Sequence, residues 1–353
     1  MKLLSEIVEL IGGYSFKSEL YTHKGIRVVR ITNVQDGFFV DESPCFYDSN
    51  FASEIGKANL KENDLLMSLT GNVGRVAFLP KDMLPAGLNQ RVECLRTDDM
   101  LIKQYLYYLF RSKKFISEAI KNSTGVAQLN MSTKWLANYQ IPIKNRPETE
   151  KIVNELNIID ELIKNSKQEI ALYDELIKSR FNEMFSGSFV EKKWCEVVTI
   201  INGKDYKNIP NFKGTYPIYG SGGYMNLRCD EYLTKENSVI IGRKGNVTNP
   251  IYVREKYWNV DTAFGIEPGI SLNPVYFYYF TLTVDLKSMV TGATIPSLTK
   301  TQLLNLSIKV PPIRLQNEFA KFVGQIDKLK FNVQKRIDYY QELLNKKMDE
   351  YFN

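Results

Sequence analysis

The stretch Asp64-Leu65-Leu66-Met67-Ser68-Leu69-Thr70-Gly71-Asn72-Val73 decides the fold, because its pattern returns as Ser238-Val239-Ile240-Ile241-Gly242-Arg243-Lys244-Gly245-Asn246-Val247. In both copies a strand-like apolar run leads into a glycine turn. Further segments recur in the same order: residues 105–109 return as 276–280, 124–127 as 291–294, and 141–143 as 308–311. A shared order over so long a period indicates duplication of a whole domain and not a solenoid repeat.

Two long helices complete the repeat. Residues 148–185 and 315–352 carry apolar side chains at alternating three- and four-residue steps, which is typical of helices that pack knobs into holes. A helix of about 38 residues is about 57 Å long, and an apolar seam of that length needs a partner in water. We expect the two helices to pair antiparallel within the chain. Folding of each helix onto its own domain and pairing between chains are the alternatives. The seam positions are Ile152, Leu156, Ile159, Ile163, Ile170, Tyr173, Ile177, Phe319, Val323, Ile326, Val333, Ile337, Tyr340 and Leu344.

The globular parts combine strand and helix patterns, so the predicted fold class is α+β. Strands are expected at 25–31, 64–69 and 73–78, and again at 216–219, 239–241 and 250–253. Helices near 103–115 and 274–286 carry tyrosine and phenylalanine stripes that indicate core and not a base-stacking platform. The predicted organisation is two similar mixed α/β domains separated by a coiled-coil spacer of two antiparallel helices, with pseudo-twofold symmetry. Its segments are 1–146 (first domain), 147–187 (first helix), 188–312 (second domain) and 313–353 (second helix).

Composition narrows the class of protein. The 353 residues carry a net charge of +6 and are 44% hydrophobic, which is ordinary for a globular protein with a mildly basic surface. No signal peptide is apparent, and the apolar stretch 274–282 is shorter than the ~20 residues of a membrane-spanning helix. We therefore expect a soluble, cytoplasmic protein. Four cysteines, Cys45, Cys94, Cys195 and Cys229, lie far apart without a CxxC pair and are predicted to be buried free thiols.

Polar and basic residues concentrate at the turns between the predicted strands. Glycines there allow close backbone approach, and Arg, Lys, Asn and Ser are side chains that contact phosphates and base edges. For any one residue an ordinary turn role is as good an explanation, but the repetition of these sets in both halves favours DNA binding. The candidates are Ser68, Thr70, Asn72, Arg75, Gln90, Arg91, Gln128 and Asn130 in the first half, and Tyr219, Ser221, Arg243, Lys244, Asn246, Thr294, Ser297 and Lys300 in the second.

Catalytic patterns are weak. The single histidine, His23, has no partner at a suitable spacing for acid–base or triad chemistry. Asn249-Pro250-Ile251-Tyr252 lacks the second proline of the NPPY signature of amino-methyltransferases, and no glycine-rich adenosylmethionine motif precedes it. Gly242-Arg243-Lys244-Gly245 lacks the ending of a phosphate-binding P-loop. The sequence predicts a non-catalytic protein without a cofactor or metal.

These motifs resemble the specificity (S) subunit of type I restriction-modification systems, over essentially the whole chain. The resemblance is strongest in the second half, at 290–300, 306–312, 316–327 and 242–247, and at Trp194. The first half is similar but has Gln128-Leu129-Asn130 where the second has Ile295-Pro296-Ser297.

The resemblance implies two target recognition domains that read a bipartite, asymmetric site in double-stranded DNA. It further implies two methyltransferase subunits and restriction subunits as partners, which supply adenosylmethionine, base flipping, ATP hydrolysis and cleavage. Two other hypotheses are a self-contained DNA methyltransferase or nuclease, and a helical scaffold that binds proteins without reading DNA.

Overall fold

The chain forms two compact units in a computed structural model, which describes residues 1–125, 128–290 and 297–352. Unit 1 comprises residues 1–166 and 335–353, and unit 2 comprises residues 167–334. Each unit therefore contains one globular half of the chain together with a part of each long helix. The helices are α1 Ala52–Ile55, α2 Met100–Arg111, α3 Lys113–Lys121, α4 Thr133–Ala137, α5 Arg146–Phe185, α6 Trp194–Val197, α7 Pro274–Thr281, α8 Lys300–Leu304 and α9 Ile313–Phe352.

The strands divide between the two globular halves. Those of unit 1 are β1 Lys2–Leu3, β2 Glu9–Gly12, β3 Tyr21–Thr22, β4 Ile26–Val29, β5 Phe46–Tyr47, β6 Leu65–Ser68, β7 Val76–Phe78, β8 Ala86–Leu88, β9 Val92–Arg96, β10 Ser123–Thr124, β11 Asn130–Met131 and β12 Gln140–Ile141. Those of unit 2 are β13 Val190–Lys193, β14 Val198–Asn202, β15 Tyr216–Gly220, β16 Gly223–Cys229, β17 Ser238–Gly242, β18 Ile251–Val253, β19 Trp258–Asn259, β20 Ala263–Pro268 and β21 Ser307–Val310.

The sheets of the two units follow the same plan. An antiparallel sheet of order β2-β9-β6-β7 in unit 1 corresponds to the order β14-β20-β17-β18 in unit 2. A second sheet contains a parallel pair in each unit, β4 with β8 and β15 with β19. The ends of each globular half are joined by β1 with β12 and by β13 with β21. The predicted duplication is thus confirmed at the level of strand order and pairing.

The long helices begin two residues before their predicted starts and end where predicted, at Phe185 and Phe352. Pro147 lies in the first turn of α5, where its missing N–H has no intrahelical acceptor to lose. In unit 1 residue 155 of α5 lies beside residues 347 and 351 of α9, whereas residue 166 lies beside residue 336. In unit 2 residue 174 lies beside residue 330 and residue 181 beside residue 319. The two helices are therefore antiparallel within each unit.

The predicted seam faces inward. In unit 2 its residues join the core of the globular half, so helix pairing and packing onto the domain, which the sequence left as alternatives, occur together. Three seam positions are only half-buried: Ile170, Tyr173 and Tyr340. The buried seam positions are Ile152, Leu156, Ile159, Ile163, Ile177, Phe319, Val323, Ile326, Val333, Ile337 and Leu344.

The polar residues that interrupt the seam have partners across it. Ser166 accepts a hydrogen bond from Arg336 at 3.3 Å. Lys347 forms an ion pair with Glu155 at 3.0 Å. Lys330 pairs with Asp174 in unit 2. These contacts satisfy groups that would otherwise oppose burial of the seam.

The aromatic helices α2 and α7 are core elements, as predicted. The Tyr105 hydroxyl donates to the Pro142 carbonyl at 2.6 Å, and the Tyr276 hydroxyl donates to the Lys309 carbonyl at 2.7 Å. Both rings are buried, at 0% and 1% exposed. The predicted end of α2 at residue 115 is wrong, because Ser112 takes an extended conformation and its hydroxyl caps the next helix, α3. The predicted end of α7 at residue 286 is wrong as well, since that helix stops at residue 281.

The cysteine prediction needs one correction. Cys94 and Cys229 are buried, Cys45 is intermediate, and all four thiols, which lie in the described residues, are free. Cys195 is exposed, because the neighbouring Trp194 takes the inward position of α6 with 0% exposure. None of the described helices is both long enough and apolar enough to cross a membrane.

We expect Phe319→Ala to lower the free energy of unfolding by about 3–5 kcal/mol. The Phe319 ring is 0% exposed and lies 5.4 Å from Phe181, 5.5 Å from Phe185 and 5.3 Å from Tyr279 between ring centroids. Leu329→Ala in the same helix is the control, since Leu329 is 45% exposed and its loss is expected within about 0.5 kcal/mol of wild type. Urea unfolding measures both. Equal losses for the two variants would contradict burial of the seam as the source of stability.

Candidate nucleic-acid interface

A glycine turn follows the central strand of the main sheet in each unit. Gly71 and Gly74 after β6, and Gly245 after β17, have φ of 77°, 81° and 75°. This left-handed region favours glycine, because glycine has no Cβ to clash with the backbone. The turns match in register, since Ser68 ends β6 and Gly242 ends β17.

Backbone hydrogen bonds join this turn to two others. In unit 1 the Leu69 N–H donates to the Arg91 carbonyl at 3.0 Å, and the Leu69 carbonyl accepts from the Met131 N–H at 2.8 Å. Residues Thr70 and Asn130 pair in an isolated antiparallel bridge. We name this set turn cluster 1, comprising residues 68–75, 89–92 and 128–132.

Unit 2 repeats these two backbone bonds and the bridge. The Arg243 N–H donates to the Thr262 carbonyl at 2.8 Å, and the Arg243 carbonyl accepts from the Leu298 N–H at 2.9 Å. Lys244 and Ser297 form the isolated bridge that corresponds to Thr70 and Asn130. We name this set turn cluster 2, comprising residues 242–248, 260–263 and 297–300.

A second glycine-rich loop, residues 219–224, lies against turn cluster 2. A Cβ at Gly242 would meet the Ser221 Cβ at 3.1 Å, and one at Gly245 would meet the Ser221 Oγ at 3.4 Å. Tyr219 begins this loop and is half-buried; its ring centroid lies 5.7 Å from that of Tyr224, which is 44% exposed. Burial raises the pKa of Tyr219, so its hydroxyl remains a neutral donor. The structure thus brings the candidates Tyr219 and Ser221 to the same surface as Arg243 and Lys244.

Turn cluster 1 presents mostly neutral polar groups. Thr70 is half-buried and its hydroxyl donates to the Asn130 side-chain oxygen at 3.0 Å. Ser68 is only 2% exposed, and its hydroxyl donates to the Asn72 carbonyl at 2.5 Å. Its position suits closure of the turn, and we leave it out of the proposed surface. The exposed candidates are Asn72, Gln90, Arg91, Gln128 and Asn130.

Turn cluster 2 presents two exposed cations, Arg243 and Lys244. Lys300 differs from them, because its ammonium donates to the Ile200 carbonyl at 2.7 Å and is held inside the fold. Asn246 and Ser297 are half-buried at the same turns. The candidate Thr294 lies outside the described residues.

The arrangement suits hydrogen bonding to a polyanion. Guanidinium, ammonium and amide groups at turns are the groups that contact phosphates and base edges. Among the described residues, no group of three or more His, Cys, Asp or Glu side chains is placed to hold a metal ion.

Comparison with known families decides the identity. The family model described as "Type I restriction modification DNA specificity domain" matches residues 1–172 and 188–339. The chain belongs to this family. It contains two specificity domains in tandem, with the long helix α5 between the matched globular regions.

Specificity subunits are also the relatives that the chain resembles. It is 27% identical to the type I restriction enzyme MjaVIII specificity subunit of Methanocaldococcus jannaschii over 189 residues, which cover 52% of this chain and 44% of that protein. It is 24% identical to the MjaIX specificity subunit of the same organism over 392 residues, covering 96% of this chain and 88% of the relative. The chain thus spans less than half the length of the first of these relatives.

Solved structures share the fold. The S subunit of a type I restriction-modification system from M. genitalium superimposes with a TM-score of 0.57 at 19% identity, covering 100% of this chain and 95% of that one. A chain from a study of complex assembly and conformational transition of a type I restriction-modification system gives a TM-score of 0.56 at 16% identity, covering 100% of this chain and 97% of that one.

Two surface positions of the second specificity domain were missing from the sequence-based candidates. Asp261 and Thr262 lie at the turn that corresponds to Gln90 and Arg91. Each turn is closed by a backbone bond of 2.9 Å, from the N–H of residue 92 to the carbonyl of residue 89 and from the N–H of residue 263 to the carbonyl of residue 260. Asp261 is exposed and Thr262 half-buried. The sequence offered no signal for them, because their relation to residues 90 and 91 depends on the register of β20 against β17.

The strand β9, which follows the 89–92 turn of the first specificity domain, carries a buried acid. Glu93 is 4% exposed, and its Oε2 has no hydrogen-bond partner among the described residues. Burial raises the pKa of Glu93 to about 7. In the strand register of unit 1, Glu93 of β9 pairs with Met67 of β6. The equivalent pair in unit 2 is Phe264 of β20 with Ile241 of β17. One domain therefore has a carboxyl where the other has a phenyl ring.

We expect Glu93→Gln to remove a pH-dependent contribution to stability. With its pKa raised in the folded state, Glu93 stabilises the fold fully below about pH 4.5 and loses that contribution as pH rises through about 7. The wild type should therefore lose up to about 3 kcal/mol relative to the variant between pH 4.5 and 8. Urea unfolding across this range measures the difference. Glu62→Gln, at an exposed position of unit 1, is the control and should follow the wild-type profile; parallel curves for Glu93→Gln and wild type would rule the effect out.

Proposed function

We propose that this chain is the DNA-recognition subunit of a type I restriction-modification complex and reads a bipartite, asymmetric site. Turn cluster 1 contacts one part of the site and turn cluster 2 contacts the other. The observation that carries the proposal is the pair of matched turn clusters, in which the same backbone bonds present different side chains. Family membership supports the same function.

The difference between the clusters supports asymmetry of the site. At the glycine turn, unit 1 has Leu69 and Thr70 where unit 2 has the cations Arg243 and Lys244. At the turn that leads into β9 in unit 1 and into β20 in unit 2, unit 1 has Arg91 where unit 2 has Thr262. Because side chains at base edges determine sequence preference, unlike side chains on one frame recognise unlike sequences.

The organisation that we propose follows the repeat. Target recognition domains span residues 1–146 and 188–312, and spacer helices span residues 147–187 and 313–353. The observed helices, Arg146–Phe185 and Ile313–Phe352, support these boundaries. We place the protein in the cytoplasm, where its partners are two methyltransferase subunits and restriction subunits. Those partners supply methylation and cleavage, and this chain supplies recognition.

The deciding experiment maps methylated adenines in DNA exposed to the chain assembled with its methyltransferase partner. We expect a motif of two short, different segments separated by a fixed number of unread base pairs, as two spaced readers produce. A short continuous motif would count against two separate recognition domains. Methylation by the isolated chain, with stoichiometric binding of adenosylmethionine, would instead identify it as a self-contained enzyme.

Replacement of both Arg243 and Lys244 by Gln should weaken DNA binding by the assembled complex and reduce its salt dependence. Each phosphate contact contributes about −0.9 to the slope of log K against log salt, so the double variant should lose about 2 from the magnitude of that slope. Fluorescence anisotropy over a salt series measures it. Lys328→Gln is the control, because Lys328 is an exposed cation on α9 and away from turn cluster 2 in the sequence. An unchanged slope in the double variant would refute phosphate contacts by these cations.

A further inference from the structure

The exposed tip of turn cluster 1 carries an amide, Asn72, beside the guanidinium of Arg75. Asn72 is exposed, and when its amide is oriented with the oxygen toward Arg75, that oxygen accepts hydrogen bonds from both terminal nitrogens of Arg75, each at 3.2 Å. This orientation satisfies both groups, whereas the reverse would place the amide NH₂ against a guanidinium that also only donates. The amide nitrogen is then the group that the side chain turns away from Arg75.

Arg75 is held from behind by a second contact. Its Nη1 donates to the Gln35 Oε1 at 2.7 Å, and the Gln35 Nε2 donates to the Thr32 carbonyl at 2.8 Å. The backbone N–H of Gln35 donates to the Phe38 carbonyl at 3.0 Å, which closes the turn that carries this side chain. Arg75 only donates, so it requires an oxygen from Gln35 on one side and from Asn72 on the other, and Gln35 is itself oriented by its bond to the Thr32 carbonyl.

Unit 2 lacks this device. By the register of β18 against β17, the position of Arg75 is occupied by Asn249. Asn246, which corresponds to Asn72, is half-buried, and its backbone carbonyl oxygen lies 1.9 Å from where a Cβ at Gly242 would stand. The fixed amide is therefore a property of turn cluster 1 and not of the fold as such.

We propose that Asn72 is a specificity-determining residue that recognises a hydrogen-bond acceptor on a base edge, with Arg75 and Gln35 as its positioning residues. The proposal rests on the proposed function and adds the chemistry of one contact. In the major groove a donor-only amide suits guanine O6 or N7, adenine N7 or thymine O4, and it opposes the cytosine amino group. We expect a base edge and not a phosphate as the partner of Asn72. The nearby positive charge, on the Arg75 guanidinium, is already engaged by the Asn72 and Gln35 oxygens.

The test compares sequence preference among variants of the full chain in complex with its methyltransferase partner, by selection from a pool of randomised duplexes. Asn72→Asp retains an oxygen for Arg75 and replaces the outward donor with an acceptor. At one position of one half-site we expect a preference of about tenfold for acceptor-bearing bases over cytosine to disappear, with cytosine gaining in their place. Asn246→Asp is the matched control and should leave that position unchanged.

The positioning role is tested at Gln35. Gln35→Glu keeps an acceptor for Arg75 and should retain the preference, whereas Gln35→Met removes the acceptor and should reduce it with the rest of the site unaffected. This pair remains informative if Asn72→Asp fails to fold. Equal behaviour of Gln35→Glu and Gln35→Met would overturn the positioning role.

The remaining outcomes separate the two proposals. If Asn72→Asp weakens binding equally to every sequence, or changes nothing, Asn72 contacts a phosphate or no DNA, and the inference is overturned while the proposed function stands. If the unmodified complex shows no sequence preference at all, the proposed function fails and the inference fails with it.

Discussion

One backbone position in each globular half organises the candidate interface. Leu69 in unit 1 and Arg243 in unit 2 each donate to the turn before the neighbouring strand and accept from a segment some sixty residues away, as Met131 and Leu298 show. These bonds use main-chain groups, so they place few demands on the side chains at the surface. A frame made in this way can keep its shape while its exposed residues change.

In the proposed function, the same separation of frame from side chains lets one duplicated domain serve two half-sites. Cations stand at the glycine turn in unit 2, at Arg243 and Lys244, and at the neighbouring turn in unit 1, at Arg91. Exchange of charge between equivalent turns alters which phosphates and bases are contacted without altering the strands beneath. A difference in the core has a larger consequence: Glu93 in unit 1 lies where unit 2 has Phe264, which places a titratable group in the interior.

The features that the sequence predicted well depend on local periodicity. The long helices follow from three- and four-residue spacing, and their observed starts differ from the predicted ones by two residues. The interface was predicted only in outline, because strand register and side-chain direction are non-local. Lys300 was a candidate cation but bonds inward to the Ile200 carbonyl, whereas Asp261 reaches the surface unpredicted. Composition and turn chemistry select candidate loops, but the pairing of distant strands decides which of their side chains reach the surface.

The distribution of charge bears on how such a surface achieves specificity. A net charge of +6 over 353 residues is modest, and each turn cluster exposes few cations, so nonspecific attraction to phosphates is limited on this surface. Neutral groups with a defined direction can then contribute to discrimination, because an amide that turns over can meet a donor or an acceptor equally well. In the proposed interface, the contacts of Arg75 with Gln35 and Asn72 favour one orientation of the Asn72 amide before DNA binds. Preorganisation of this kind favours the correct base by leaving the amide unable to satisfy the wrong one.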